Sequence, residues 1–388
     1  MIRKIIRTFK DMDKILLFTT IILIIFGTLN IVTASSREAV VNASANLFFY
    51  FFKHMFILVL STIVFLIIIN IPTKNYAKWL PFIYIFVAGM NLFLILKGVA
   101  TRGANNWIDF KIIKLQPSEL AKPTLILTMS LMFEMYYKKL KDIKEKHDIV
   151  IWKIIGFALV FPALVFLQKD LGTAIILFAI FGVLFIFSPI SKSEKYKAGF
   201  ISIVLLGIFL LVRLSITGYI LSGAQESRLN NFFNPCENYE TSGYQVCNAF
   251  IAINKGGLTG VGIGKSTQKY SYIPEPHTDM VFAIISEENG VLGCSLIFFF
   301  YLVILLRIIL LSKRTKKLKN KYICIGVATY IFMHIFINLG GLFGLIPLTG
   351  VPLPFLSYGG SFTLSLIATL AIVQRIHIEY KNEKIKIK

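Results

Sequence analysis

Residues Ile15–Thr33 read ILLFTTIILIIFGTLNIVT, 19 consecutive positions without a charged side chain. As a helix rising ~1.5 Å per residue, this stretch is about 28 Å long, close to the ~30 Å hydrocarbon core of a bilayer. Nine further runs of this character follow: Met55–Ile71, Trp79–Leu96, Leu120–Tyr137, Ile151–Leu167, Leu171–Phe187, Ala198–Leu221, Met280–Leu311, Ile323–Ile346 and Phe362–Tyr380. Lipid offers no hydrogen bonds to a backbone, so each run is expected as a helix. The expected fold is an all-α integral membrane protein of about ten transmembrane helices, with residues 1–388 forming a single polytopic membrane domain. The first run is too long for a cleaved signal peptide, and no small-residue cleavage pattern ends it. The run Met280–Leu311 is too long for one simple span. Its early part, with Glu287 and Glu288, is expected at a water-facing edge.

Composition agrees. Of 388 residues, 56% are hydrophobic and only 16% charged, against ~25% charged in soluble domains. That excludes a soluble enzyme, a disordered chain and a secreted disulfide scaffold. The net charge is +21, from 41 Lys and Arg against 20 acids. The basic residues cluster between apolar runs, as in cytoplasmic loops, and no aromatic-basic motif points to nucleic acid. With the N-terminus inside, 26 of the 41 fall on inner segments and 9 on outer ones. Both termini are therefore expected in the cytoplasm. The longest segment between runs, 222–279, is then a large extracytoplasmic loop between spans 7 and 8. It is too polar for a core of its own, but Pro235, Gly256-Gly257 and Pro274-Glu-Pro276 give it ordered features.

Two features lead nowhere catalytically. The stretch Gly260-Val-Gly-Ile-Gly264-Lys265-Ser266 resembles a phosphate loop, but the position required to be Gly is Thr259. No strand precedes it, and it lies outside, where ATP is scarce. The cysteines and histidines show no metal-ligand spacing. Cys294 and Cys324 fall in spans, whereas Cys236 and Cys247 share the outer loop, where oxidation to a disulfide is possible.

Ionisable residues at membrane depth are costly and point to function. In Gln116-Pro-Ser118-Glu119-Leu-Ala-Lys122, Ser118 is read as an N-cap and Glu119 suits the positive helix end. Lys122 shares a face with Glu119 and is read as facing a cavity in preference to snorkelling. Asp170, in Lys169-Asp170-Leu-Gly172-Thr173, is read chiefly as a helix cap, with Gly172 permitting close approach of a helix. Asp279 follows Pro274-Glu-Pro-His277-Thr at the membrane boundary. Its spacing fits a helix cap and a general base of raised pKa equally. The irregular stretch 347–361, with Pro352-Leu-Pro-Phe-Leu-Ser357-Tyr-Gly-Gly360, is expected to line the mouth of the same site.

Together, Asn106-Trp107-Ile-Asp109, Gln116–Lys122, Asp170–Thr173, Gly243-Tyr-Gln245, Pro274–Asp279 and Pro352–Gly360 occur in the order found in the SEDS family, the shape, elongation, division and sporulation proteins of FtsW and RodA type. The resemblance covers nearly the whole chain. It implies a peptidoglycan glycosyltransferase of the bacterial cytoplasmic membrane, polymerising lipid II at the outer face from an undecaprenyl-pyrophosphate donor. It also implies that Asp279 is the essential catalytic aspartate. Substrate binding then falls to Lys122 and Glu119, with Trp107, Ser118, Arg228, His277, Gln245 and Ser357. Members often carry Arg where this chain has Asn106; Arg102 is a nearby charge. No cofactor is required, though a divalent cation (Mg or Mn), or Lys122, Arg228 or Lys265, would stabilise the leaving pyrophosphate. The implied partners are lipid II, undecaprenyl lipids, a class B penicillin-binding protein and other divisome or elongasome proteins. A lipid II flippase is the alternative, which an inverted repeat would favour; none is evident, and a flippase needs no base. A division or elongation scaffold is a third reading, compatible with the first.

Overall fold

The computed structural model describes residues 8–42, 46–97, 106–109, 114–141, 147–218, 223–233, 235–236, 243–270, 273 and 276–387. Each of the ten apolar runs falls mainly on a helix among the described residues: α1 (Lys14–Asn42), α2 (Phe49–Asn70), α3 (Tyr76–Lys97), α4 (Pro117–Lys141), α5 (His147–Leu167), α6 (Leu171–Ile186), α7 (Lys192–Thr217), α10 (Val281–Arg314), α11 (Leu318–Leu342) and α12 (Gly360–Ile387); the end of the run Ile323–Ile346 lies beyond α11, and that of Ala198–Leu221 outside the described residues. Between α7 and α10 lie α8 (Gly223–Phe233) and α9 (Tyr244–Gly256). A two-residue antiparallel ribbon, β1 (Ile108–Asp109) with β2 (Lys114–Leu115), precedes α4.

By length and composition, seven of these helices can cross a membrane: α1, α2, α3, α5, α10, α11 and α12. Of the other three, α4 carries Glu119 and Lys122 in its opening turns, α6 has only 16 residues and α7 opens on a charged turn. Burial sorts the spans. The apolar windows of α11 and α12 are 72% and 78% buried, those of α2 and α3 only 22%. The last two helices therefore form the centre, and α2 and α3 turn residues such as Phe56 and Phe82 outward. Exposed apolar surface of this extent has its solvent in lipid. Polar residues within spans hide locally: the Thr19, Thr20 and Thr28 hydroxyls donate to carbonyls four residues earlier.

The run Met280–Leu311 is interrupted, as its length suggested, but its first part is not at a water-facing edge. Gly290 leaves helical geometry at φ 63°, ψ −169°, a region essentially reserved for glycine. In an unbroken helix, the Val291 and Leu292 N–H groups would bond the Glu287 and Glu288 carbonyls. Here those carbonyls accept from Val261 N (2.9 Å) and Gly262 N (3.0 Å), while Val291 N and Leu292 N donate to Gly257 O (3.0 Å) and Leu258 O (3.1 Å). The glycine-rich segment thus replaces, bond for bond, what the break removes. Glu287 and Glu288 are buried. Ser266 Oγ, Thr267 N (3.0 Å) and Gln268 N (3.3 Å) donate to the Glu287 carboxylate, and Lys255 Nζ lies 3.3 Å from it. Lys269 Nζ pairs with Glu288 at 3.2 Å. The false phosphate loop and the two glutamates are one structural clasp. A disulfide joins Cys236 to Cys247, and α9 packs along α10, burying Ala249 and Ala252. The loop thus shares the core of the bundle.

Candidate active site

Pro117 opens α4 as its first helical residue, a position that suits its missing N–H and fixed φ. The capping position therefore falls on Gln116, and Ser118 sits inside the first turn, fully buried; it is not the N-cap that the sequence suggested. Glu119 and Lys122 follow one turn apart, and the Lys122 ammonium lies 2.7 Å from Glu119 Oε1. Instead of facing an open cavity, Lys122 is 0% exposed. Its second partner is His334 Nε2 of α11 at 2.9 Å. The His334 Nδ1 lies 3.0 Å from the Pro352 carbonyl, which can only accept, so Nδ1 carries the proton and Nε2 accepts from the lysine. The imidazole stacks on Phe362, and Tyr330 and Phe362 present their rings to the ammonium at 5.6 and 5.9 Å. Ser365 Oγ of α12 donates to the Glu119 carbonyl at 2.7 Å. Three helices thus close around one lysine.

One turn further along α11, Asn338 Nδ2 donates to both Asp279 O (2.7 Å) and Val351 O (2.8 Å). His334 and Asn338 are about 6 Å apart along the helix axis. They fix, on one face, the Lys122 ammonium, the 351–352 backbone and the approach to α10. Asp279 is 7% exposed and lies just before that helix. Thr278 Oγ1 donates to its Oδ1 at 3.0 Å, and its Oδ2 lies beside Gly350, 3.7 Å from where a β-carbon would stand. The Asp279 side chain therefore faces the irregular 347–361 segment, as the sequence led us to expect of that segment.

The segment is stitched down at several points. Tyr358 N donates to His277 O at 2.8 Å. His277 is buried against Tyr50 and Tyr358, with Nδ1 3.3 Å from Glu38 Oε2. Ser357 Oγ accepts from Leu353 N at 2.8 Å, so Ser357 closes a turn of this segment. A β-carbon on Gly172 would come within 2.8 Å of Val351 and 2.9 Å of Thr349. Glycine permits close approach there as expected, to this segment and not to a helix. Asp170 caps α6 through Thr173 N (3.1 Å) and also accepts from Gln116 Nε2 (3.0 Å) and Asn106 Nδ2 (2.9 Å). Asn106 thus supplies a neutral hydrogen bond to this carboxylate.

The remaining sequence candidates are dispersed. Trp107 is half-buried at the start of the ribbon, Gln245 is half-buried on α9, and Lys265 is exposed in the glycine-rich segment. Arg228 falls on α8 with its side chain outside the described residues, as are Arg102, Pro274 and Glu275. Among the described residues, no group of three or more His, Cys, Asp and Glu side chains is placed to hold a metal ion. His334 and Asn338 were not selected from the sequence. The available signal was two polar residues four apart in the apolar second half of α11.

A lipid-facing helical bundle with a buried lysine–glutamate–histidine cluster, tied to a carboxylate at a loop–helix boundary, defines a multi-pass membrane protein with a polar site between its spans. The chain belongs to the FtsW/RodA/SpoVE family, described as cell cycle proteins, whose pattern matches residues 13–382. It is similar to the "Probable peptidoglycan glycosyltransferase FtsW" of Wigglesworthia glossinidia brevipalpis, 31% identical over 98% of this chain and 97% of that protein. The protein of the same name from Bacillus subtilis (strain 168) is 29% identical over 97% and 94%. In fold, the chain resembles a solved "peptidoglycan synthase complex" protein, with TM-score 0.73, 20% identity and coverage of 95% of this chain and 98% of that one. It also resembles the Thermus thermophilus rod shape determining protein RodA, with TM-score 0.66, 21% identity and coverage of 94% and 96%.

Proposed function

We propose that the protein is a peptidoglycan glycosyltransferase. It polymerises lipid II into glycan strands at the outer face of the cytoplasmic membrane, with both termini in the cytoplasm and 222–279 outside. The observation that carries this reading is Asp279, a carboxylate placed at the boundary of α10 by Asn338 and facing the irregular segment beside Gly350. The acceptor sugar hydroxyl attacks the donor anomeric carbon. The new C–O bond forms as the bond to the pyrophosphate breaks, and the Asp279 carboxylate takes the hydroxyl proton. The departing undecaprenyl pyrophosphate needs positive charge. Lys122 supplies it from within the bundle, one turn of α11 from the Asp279 anchor, and a divalent cation is the other source. Lys122 and Glu119 set the electrostatics, while His277 and Ser357 hold the backbone that shapes the mouth. The FtsW relatives at 31% and 29% identity support this chemistry. A class B penicillin-binding protein is the proposed partner, docked by its single span through close packing on apolar helices.

The test is lipid II polymerisation by the purified protein, with its partner transpeptidase where needed. Asp279→Ala should retain the fold and lose on the order of 10²–10⁴ in rate, the usual range for a general base. A folded Asp279→Ala variant of undiminished activity would remove Asp279 from this role. Transbilayer movement of lipid II without polymer would favour the flippase.

A further inference from the structure

A second polar site is built at the opposite, basic end of the bundle. Asp13 is buried and caps α1 through Oδ1, which accepts from Ile15 N and Leu16 N. Gln374 of α12 grips its backbone from both sides, accepting from Asp13 N (2.9 Å) and donating to Asp13 O (3.1 Å). Asp13 Oδ2 accepts from Nε (2.9 Å) and Nη2 (2.7 Å) of Arg307 on α10, leaving Nη1 for another acceptor. His377 Nδ1 lies 3.7 Å from the same oxygen.

Over this floor opens a shallow, solvent-open notch, walled by Arg307, Leu310 and Arg314 of α10 and by His377 and Tyr380 of α12. Arg314 is exposed and has no carboxylate partner among the described residues. With His377 neutral, two arginines and one aspartate leave the cleft one positive charge. That suits a monoanionic phosphodiester. The other half of the argument lies along α10. Phe299, Leu302, Leu306 and Leu310 are spaced three or four apart and are 56%, 54%, 47% and 39% exposed. They form one apolar ridge, and Arg314 follows Leu310 by four residues at its end. A free phosphate would use the cleft alone, whereas a phospholipid uses the cleft and the ridge together.

We propose that this cleft binds the headgroup of an anionic phospholipid in the leaflet at the basic end of the bundle, with an acyl chain lying along the Phe299–Leu310 ridge. The guanidinium of Arg314 and the uncommitted edge of Arg307 hold the phosphodiester, and Tyr380 and His377 complete the polar wall.

The experiment is native mass spectrometry of the full chain in mild detergent, titrated separately with phosphatidylglycerol and phosphatidylcholine. Inorganic phosphate is tested in parallel by thermal shift. The protein should bind phosphatidylglycerol more tightly than phosphatidylcholine. Arg314→Gln should reduce that preference about fivefold, as expected for one interfacial charge. Arg314→Lys should keep most of it. Lys316→Gln, an exposed charge two residues further on, beyond the helix and outside the cleft, should leave it unchanged. Equal losses in Arg314→Gln and Lys316→Gln would overturn the site in favour of a general basic surface. No loss in Arg314→Gln would overturn it outright. Arg314-dependent stabilisation by inorganic phosphate, without a lipid preference, would overturn the lipid assignment.

Discussion

Replacing Lys122 with Met keeps the length and the apolar stem and removes the charge. The ammonium is 0% exposed, 2.7 Å from Glu119 Oε1 and 2.9 Å from His334 Nε2. Its loss leaves a buried carboxylate without its cation and an imidazole nitrogen without its donor. Breaking a buried pair on one side costs about 3–5 kcal/mol, because the remaining charge is stranded. Removing both charges in Lys122→Met with Glu119→Gln strands no charge and leaves only His334 Nε2 without its donor, and should return stability to within about 1–2 kcal/mol of the parent. The double variant should therefore recover about 1–4 kcal/mol relative to Lys122→Met alone. Thermal unfolding in a fixed detergent reads it: Lys122→Met should melt several degrees lower, and the double variant should recover most of that loss. Polymerisation of lipid II, measured at matched folded protein, separates stability from catalysis. If Lys122 serves the pyrophosphate, the double variant should remain about a hundredfold slower or worse despite its recovered fold. A Lys122→Met variant that melts with the parent would refute the enclosed ion pair. A double variant with near-parental turnover would leave Lys122 a purely structural residue.

Three further outcomes follow from the geometry. Gly290→Ala places a β-carbon 2.3 Å from Gly260 N at φ 63°, so it should release the glycine-rich clasp and raise proteolytic sensitivity across 257–266, which limited proteolysis would detect. Asp170→Ala removes the acceptor of Asn106, Gln116 and the α6 cap together, and should destabilise by about 1–3 kcal/mol in the same unfolding assay. Reporter fusions after Lys144 and after Lys317 should read cytoplasm and one near Ser242 should read outside; the reverse at Ser242 would remove the site from the compartment where the glycan is built.

The helical architecture was legible because lipid imposes one solution on a long uncharged run, and among the described residues each run has a helix over most of its length. The Glu119–Lys122 pairing was legible for a local reason, since three residues apart on a helix is a contact. The enclosure of Lys122 was not. His334 lies 212 residues away and Pro352 reaches the imidazole from a loop, so nothing in the neighbourhood of Lys122 reports that its cavity is filled. Glu287 and Glu288 misled for the same reason. Two adjacent acids suggest water, and their counter-charges, Lys255 and Lys269, come from a segment whose glycines looked like a nucleotide loop. Ser118 was displaced as a cap because Pro117 already occupies the first helical turn. Asp13, Arg307 and Gln374 span almost the entire chain and carried no sequence signal as a group.

The backbone exchange at Gly290 also bears on how the chain enters the membrane. A growing chain delivers residues 257–262 before Val291 exists, so the acceptors for the top of α10 are made first. Until they meet, the break at Gly290 would leave the Val291 and Leu292 N–H groups without acceptors, at a cost of several kcal/mol each in hydrocarbon, so the break forms only with docking. Completion of that span and docking of the preceding glycine-rich segment are then a single thermodynamic event. The stretch from α9 through α10 behaves as one insertion unit, and a chimera with a relative should keep its junctions outside residues 244–314, because each half supplies the hydrogen bonds the other lacks at the break.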